Sequence, residues 1–572
     1  MRAPRVAALE RGESMAGKGT SLVVRRAERV RAARLLGLAL AVLAIWLGTA
    51  SAASAYVTIQ FDYTYDTSGF FAANPDAKKA LQAAGATISR LSDTLEAITP
   101  TISNTWMAQF SRPDTGADTT TTTLAVPQNT LIVYVGARAL SGNTLGLGGP
   151  GGYVSASGSG AWYDTLFARG QMGAFDDLPT DTGPWGGSIA FNSNPNLWYF
   201  GLSGRGVPAN RSDFYSVAVH ELAHVLGFGA ASPYPEDYLT SWDTYASGAT
   251  FTGPQAAALY GGNVPLDDTG HWAAGVRSIV YGLAQDAAMT PSLTVGQRKR
   301  FTDLDWAGMT DLGWQHATSA VTWGGGTDAH WDADANWTGG PAATLGLVAT
   351  FDTATSHPPT LYQHEYADGV AFKTADWTLG GAANTLTVGP AGVSSTGSGT
   401  NRIQPKVEAD PDDSRSGAVT GNVWKVTVVD AANTLVFDGG FDGGNKTLVK
   451  DGAGEWAING AQSYAAGAML DVEAGTVTFG SDAGSGGTGL LSIDVVGGLV
   501  NFDADQHLDT LIIGSGGKVV LRLAHLVVLK DLQMGGVDLG AMTLTPEPAT
   551  LGLVAFGVVA MAMRRRGRAR CR

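Results

Sequence analysis

The stretch "HELAHVLGFG" (residues 220–229) places two histidines four positions apart, with a glutamate directly after the first. Residues i and i+4 lie on the same face of an α-helix, so His220 and His224 can direct both imidazoles at one metal ion. Glu221 then lies beside that ion. The apolar residues around these positions fit a helix whose opposite side is buried. Gly227 predicts the end of the helix, because glycine accepts the left-handed conformation common there.

A third ligand is needed, because a catalytic zinc ion usually has three protein ligands. Between residues 56 and 315 the only other histidine is His271, in "DDTGHWAAGV". Asp237 and Asp243 are the nearest carboxylates that could take its place. We expect His271 to complete the site, since three uncharged imidazoles leave a zinc-bound water well poised for attack.

Together with "HELAHVLGFG", the "HW" at 271–272 and the segment "AAMTPSLTVGQRKRFTDLDWAGMTDLGW" (287–314) resemble the metzincin metalloproteases. The likeness is to the leishmanolysin-like branch, in which a long insertion precedes the third histidine. Ala230 stands where the compact metzincin pattern has a histidine or aspartate, which makes a distant third ligand necessary. The roles that the resemblance implies are zinc ligands His220, His224 and His271, general base Glu221, and Met289 as the methionine of the turn beneath the metal.

The resemblance spans about residues 56–316 and implies an α+β metzincin-like catalytic domain, with a mixed sheet and an active-site helix. In metzincins a strand before that helix forms the upper edge of the cleft, where a substrate pairs as an added strand; "GGSIAFNSNPNLWYFG" stands at this place. The elements predicted before the helix are strands at "AYVTIQFDY" (55–63), "NTLIVYVGARAL" (129–140) and "GGSIAFNSNPNLWYFG" (186–201), and a helix at "DAKKALQAAGATISRLSDTLEAI" (76–98).

Residues 317–544 differ in composition and predict an all-β domain, either a β-solenoid or a sandwich. Short apolar runs recur there between glycine turns. Examples are "NTLVFDGG" (433–440), "KTLVKDGAG" (446–454), "GTVTFGSD" (475–482) and "GGKVVLRL" (516–523).

Two acidic motifs in this β-rich half, "DADAN" (332–336) and "DPDD" (410–413), could bind Ca²⁺. Neither has the full spacing of a calcium loop, so solvated turns are the simpler interpretation. Trp323, Trp331 and Trp337 could form a carbohydrate platform, but we expect them in the core.

Both ends of the chain carry targeting signals. In residues 1–55, arginines precede an apolar run and small residues, which is typical of a secretory signal peptide cleaved before Tyr56. Met15 is a second possible start. Residues 545–572 contain a Pro-Glu-Pro triplet, an apolar span and an arginine cluster, and resemble the PEP-CTERM sorting signal of Gram-negative bacteria. That resemblance implies transient anchoring in the inner membrane and removal by an exosortase-type enzyme.

The charge pattern bears on the class of partner. The chain has a formal net charge of -14, yet residues 1–55 hold nine Lys and Arg against three Asp and Glu, and the tail from Arg564 holds six Arg. The part between is therefore strongly acidic, which disfavours a nucleic-acid partner. The single cysteine, Cys571, excludes an internal disulfide.

The sequence thus predicts an exported zinc endopeptidase that acts on a protein or peptide substrate, with Glu221 as general base. The alternative is a β-rich surface or matrix protein whose metalloprotease-like domain is not catalytic. Retention of Glu221 between the two histidines favours the enzyme.

Overall fold

The structure is a computed structural model that describes residues 56–544, apart from 177–178, 230–240, 268–269, 318, 411–422, 485–488, 523, 536 and 539–541. The chain divides into two compact units, Met1–Ala53 and Ser54–Arg572. The first unit, with its signal-peptide prediction, and the sorting tail from residue 545 lie outside the described residues.

Residues 56–316 combine helices with short strands. The helices are α1 (Phe70–Ala73), α2 (Pro75–Ile88), α3 (Gly160–Ala168), α4 (Phe214–Val225), α5 (Ser241–Tyr245), α6 (Pro254–Tyr260) and α7 (Asp303–Asp311). The strands are β1 (Thr58–Asp62), β2 (Thr105–Ser111), β3 (Asp118–Thr121), β4 (Thr130–Arg138), β5 (Gly146–Pro150), β6 (Gly152–Ser157), β7 (Gly186–Asn192), β8 (Trp198–Tyr199), β9 (Ser212–Asp213), β10 (Ala246–Ser247), β11 (Thr250–Phe251), β12 (Val264–Pro265), β13 (Arg277–Val280) and β14 (Leu283–Asp286).

A mixed sheet in the order β1–β4–β7–β5 forms the centre of this half. Strands β1, β4 and β7 run parallel, and β5 is antiparallel to β7. Every residue of β7 is buried, as expected for a strand with neighbours on both sides. Helices α2 and α4 pack together in the same core, which buries Leu81 and Leu222 completely. The predicted mixed sheet and helix are therefore present, although this alone does not identify a metzincin fold.

For two elements, the span predicted from the sequence is longer than the helix or strand in the structure. The helix predicted over 76–98 ends at Ile88, because the following segment is extended and anchored elsewhere. Leu91 bridges to His316, and the carboxylate of Asp93 accepts the backbone N–H of Gln315. The strand predicted over 186–201 is β7 only as far as Asn192.

Residues 317–544 are almost entirely β-structure. The strands are β15 (Ala320–Trp323), β16 (Trp337–Thr338), β17 (Val348–Phe351), β18 (Glu365–Phe372), β19 (Thr378–Leu379), β20 (Thr385–Ser395), β21 (Gly399–Ile403), β22 (Lys406–Ala409), β23 (Val423–Val428), β24 (Asn433–Phe437), β25 (Phe441–Gly444), β26 (Thr447–Asp451), β27 (Glu455–Ile458), β28 (Gln462–Tyr464), β29 (Met469–Val472), β30 (Thr476–Phe479), β31 (Ser492–Val495), β32 (Leu499–Phe502), β33 (Gln506–Ile513), β34 (Lys518–Leu521), β35 (Leu526–Met534), β36 (Val537–Asp538) and β37 (Met542–Leu544).

Parallel pairing decides between the two predicted β architectures. In one sheet the register aligns Phe437, Ile458, Phe479, Phe502 and Leu521 across five successive strands. A second, longer sheet repeats the same parallel pairing from β17 to β35. Sandwiches are built from antiparallel strands, so this half is a β-solenoid in which each coil stacks its apolar residues on the coil before it.

The last described coil is covered by two antiparallel strands, β36 and β37, which pair with β35. An uncovered parallel edge would offer backbone groups to another chain. The two strands therefore cover the β35 edge of the longer sheet.

The first coil contains the three tryptophans discussed above. Trp323, Trp331 and Trp337 are 1%, 1% and 5% exposed and stack edge to face, so they belong to the core, as expected, and form no carbohydrate platform. In the "DADAN" motif, Asn336 accepts and donates hydrogen bonds within its own turn, to Asp328 among others.

The two halves share a polar, buried junction. Arg300 donates to Asp368 at 2.5 Å, and both side chains are at most 2% exposed. Arg205 contacts Glu408 at 3.0 Å, while Asp410, the first residue of the "DPDD" motif, accepts from Ser203 at 2.9 Å. The remainder of that motif lies outside the described residues. Within the described ranges, no helix is long and apolar enough to cross a membrane.

Candidate metal centre

Helix α4 carries the histidine motif and is fixed at its N-terminus by a buried ion pair. Asp213 caps the helix by accepting the N–H of Ser216 at 3.0 Å, and it pairs with Arg298 at 2.7 Å with both side chains fully buried. At the other end, Gly227 takes a φ of 99°, the left-handed conformation predicted for it. Specific residues therefore define both ends of the helix that carries the motif.

The structure brings His220, His224 and His271 together. Their Nε2 atoms are 3.1 Å apart for His220 and His224, 3.2 Å for His220 and His271, and 3.3 Å for His224 and His271. Three nitrogens bound tetrahedrally to one zinc ion at 2.0–2.1 Å would stand about 3.3 Å apart. The observed spacing thus fits a single zinc ion.

The hydrogen bonds of the other ring nitrogens also fit a metal. The Nδ1 atom of His220 donates to the carbonyl of Ala288 at 2.9 Å, and that of His224 donates to the carbonyl of Phe228 at 2.6 Å. Donation from Nδ1 leaves a lone pair on each Nε2. Burial, followed by the neighbouring His224, lowers the pKa of His220 well below its ordinary value, so its ring is neutral. Nε2 lone pairs that converge in this way are a metal-binding arrangement.

His271 reaches the cluster from a separate segment that is anchored by its neighbour. Trp272 is fully buried, donates its backbone N–H to Met289 at 3.0 Å and its indole N–H to Asp305 at 3.0 Å. Leu266 bridges to the same tryptophan. The indole therefore holds the preceding histidine beside α4.

Met289 is fully buried in a turn that the Thr290 N–H closes by donating to the Ala287 carbonyl. Asp305 organises that turn, because its carboxylate accepts the N–H groups of Ala288 at 2.8 Å and Met289 at 3.2 Å. Asp305 was not among the site residues predicted from the sequence. The sequence feature that could have pointed to it is the Thr-x-x-Asp capping box, which Thr302 and Asp305 form at the start of α7.

Glu221 faces the same cavity as the histidines and is only 7% exposed. Burial raises the pKa of its carboxyl to about 8, opposed by a hydrogen bond from the Gly148 backbone N–H. A Cβ added to Gly146 would lie 2.6 Å from Glu221 Oε1, and one added to Gly148 would lie 2.4 Å from the Glu221 carbonyl oxygen. Only glycines allow β5 to approach the helix this closely.

The strand at the edge of the cleft is β5, which corrects the prediction for residues 186–201. Strand β7 is interior, between β4 and β5. Within the described part of the chain, no strand pairs with the outer side of β5. The sequence "GLGGP" does not predict a strand, because glycine and proline are depleted in strands generally. Both residues are tolerated at the edge of a sheet, where β5 lies.

No carboxylate joins the histidine group among the residues that the structure describes. Asp243 lies in α5 and is outside the group, whereas Asp237 and Ala230 lie outside the described residues. Neither acidic motif of the solenoid forms a metal-binding group in the described ranges. The calcium prediction stays without structural support.

Comparison with known proteins identifies one segment. Residues 544–566 match the PEP-CTERM protein-sorting motif. The motif indicates export and sorting to the cell surface, and implies recognition by an exosortase-type processing enzyme. No curated protein and no solved structure matches the chain.

Proposed function

We propose that this protein is an exported zinc-dependent endopeptidase. The observation that carries the proposal is the convergence of three imidazoles, with Nε2 spacings of 3.1–3.3 Å, in one cavity with the carboxyl of Glu221. His220, His224 and His271 would hold the zinc ion. The metzincin resemblance of the sequence supports this assignment.

When bound, zinc supplies a Lewis acid that makes a water molecule acidic and polarises a carbonyl. Glu221 would accept the proton of that water, because a metal ion held by the three histidines would favour its ionised form over the raised pKa caused by burial. The same carboxyl then donates the proton to the leaving amine. The Gly148 N–H orients the carboxyl for both transfers.

The outer side of β5, with which no described strand pairs, supports a peptide substrate in particular. An extended peptide can add to the edge of a sheet through backbone hydrogen bonds, which are independent of its sequence. Because Gly146 and Gly148 bring β5 against Glu221, a peptide paired with β5 would lie beside the strand that contacts the proposed base. A scaffold without catalysis would have no use for an acidic side chain buried at this position.

The test compares wild type with Glu221→Gln for zinc content and hydrolysis of casein. The variant keeps the ligands and loses the proton acceptor, so we expect full zinc retention and loss of nearly all hydrolysis. Glu473→Gln, on the exposed surface of the solenoid, is the matched control. Wild-type turnover by the Glu221→Gln protein would disprove the assigned base. A metal-free, inert wild-type protein would favour the structural alternative.

We further propose that the exported form is transiently anchored in the inner membrane by its C-terminal span and loses both ends, beginning near Tyr56 and ending near the Pro-Glu-Pro triplet. The sorting motif at 544–566 and the signal-peptide pattern support this processing. Intact mass spectrometry of protein released from cells measures both ends. Released protein that still contains Cys571 would contradict the proposed removal of the C-terminal tail.

A further inference from the structure

The cavity that contains the histidines extends beyond them to a buried lysine. Its volume is about 790 Å³, and it reaches from Glu221 along the first turn of α4 to the segment 290–293. Lys299 lines the cavity together with Ser216, Val217 and that segment. Glu221 and Lys299 are the charged side chains other than histidine on its described wall.

Lys299 is buried without a compensating negative charge. Its side chain is 4% exposed, and its Nζ donates to the hydroxyl of Thr290 and to the carbonyl of Ser292. In the described structure no carboxylate lies within ion-pair distance of this ammonium. An ammonium has three donors, so one N–H remains after the two neutral acceptors. Burial lowers the pKa of Lys299, and the more distant Asp286 and Asp305 only partly oppose this.

Such an arrangement costs folding free energy, because a cation removed from water without a paired anion loses its hydration uncompensated. A purely structural tether for the 290–292 turn would need no charge, and a neutral donor would serve there. The hydroxyls of Ser216 and Thr290 on the same wall already donate to Asp213 and to the Ala287 carbonyl, which leaves Lys299 as the donor beside the apolar Val217 and Leu293. This combination suits a short side chain with an apolar stem and an anionic end.

We propose that Lys299 binds the carboxylate of an acidic substrate side chain, Asp or Glu, at one of the two residues flanking the cleaved bond. This inference rests on the proposed peptidase function and names its substrate class. The substrate carboxylate would take up the remaining N–H of Lys299. A peptide paired with β5 places its side chains next to the cavity that begins at the histidines.

The experiment uses the zinc-loaded protein and peptides that differ only at the two flanking residues, carrying Asp or Glu or their neutral counterparts Asn or Gln. We expect kcat/KM to be about tenfold or more higher for the acidic peptides at one position. Lys299→Met should remove this preference while still cleaving the neutral peptides, and Lys299→Arg should keep part of it. Lys79→Met, an exposed lysine of α2, is the matched control.

Equal cleavage of acidic and neutral peptides by wild type would overturn the inference and leave the peptidase function intact. Retention of the acidic preference by Lys299→Met would also overturn it. If Lys299→Met does not fold, the wild-type comparison decides alone, because it needs no variant. Failure of the zinc-loaded wild type to cleave any peptide would instead overturn the peptidase function beneath it.

Discussion

Replacing Gly148 by alanine tests whether the closeness of β5 to the helix is needed for catalysis. The added Cβ would stand 2.4 Å from the Glu221 carbonyl oxygen and 2.9 Å from its Cβ, whereas ordinary contacts begin at 3.4 Å. The strand must therefore retreat by about 1 Å, and a displacement of this size at reacting groups costs on the order of 10²-fold in rate. The three atoms nearest to this methyl group all belong to Glu221 and none to a histidine, so zinc should be retained.

Gly149→Ala is the matched control, because a Cβ at this neighbouring position of β5 meets nothing within 4 Å. Both substitutions have the same effect on the flexibility of the unfolded chain, so their difference reports the contact alone. The assay is kcat/KM on a casein-derived peptide, with zinc content measured on the same samples. Equal activity of the two variants would show that β5 does not set the position of Glu221.

Three further predictions concern the ligands, a buried acid and the junction. His271→Ala should lose most bound zinc while Asp243→Ala keeps it; metal analysis showing the opposite would assign the third ligand to a carboxylate. Burial raises the pKa of Asp93 to about 7, so its contribution to stability is complete at low pH and is lost as pH rises from about 4 to 7. Asp93→Asn should therefore unfold at a higher temperature than wild type at pH 8 but not at pH 4, and an identical difference at both pH values would refute this. Arg300→Met leaves its buried partner uncompensated and should destabilise the protein by about 3–5 kcal/mol in urea unfolding; adding Asp368→Leu should recover part of that loss, and no recovery would argue against the ion pair.

The local parts of the site could be predicted because they depend on short-range geometry. The helix that carries His220 and His224 and its glycine stop follow from spacing four and from the conformational freedom of glycine. The solenoid strands could be predicted equally well, because the four apolar runs quoted from residues 433–523 contain β24, β26, β30 and β34. The PEP-CTERM motif is recognised by linear order alone.

Other features had no local signal. Strand β5 looks like a glycine loop in sequence, and only its contact with Glu221 explains why it lacks side chains. The helix prediction over 76–98 failed after Ile88, because long-range anchors of Leu91 and Asp93 outweigh helix propensity there. Likewise, periodicity alone could not separate solenoid from sandwich, since strands of both bury alternate residues and only their pairing direction differs.

The sequence by itself determined the chemistry available to this protein: two histidines and a glutamate on one helix face, one further histidine within reach along the chain, and a sorting signal at its end. The tertiary structure alone decided which groups meet. It placed the Nε2 of His271 within 3.3 Å of those of the helix histidines and set β5 against Glu221. It also buried Lys299 with no carboxylate at ion-pair distance among the described residues. These distances depend on contacts between residues far apart in the chain, such as the anchoring of Trp272 by Asp305. Such contacts form only when the core packs.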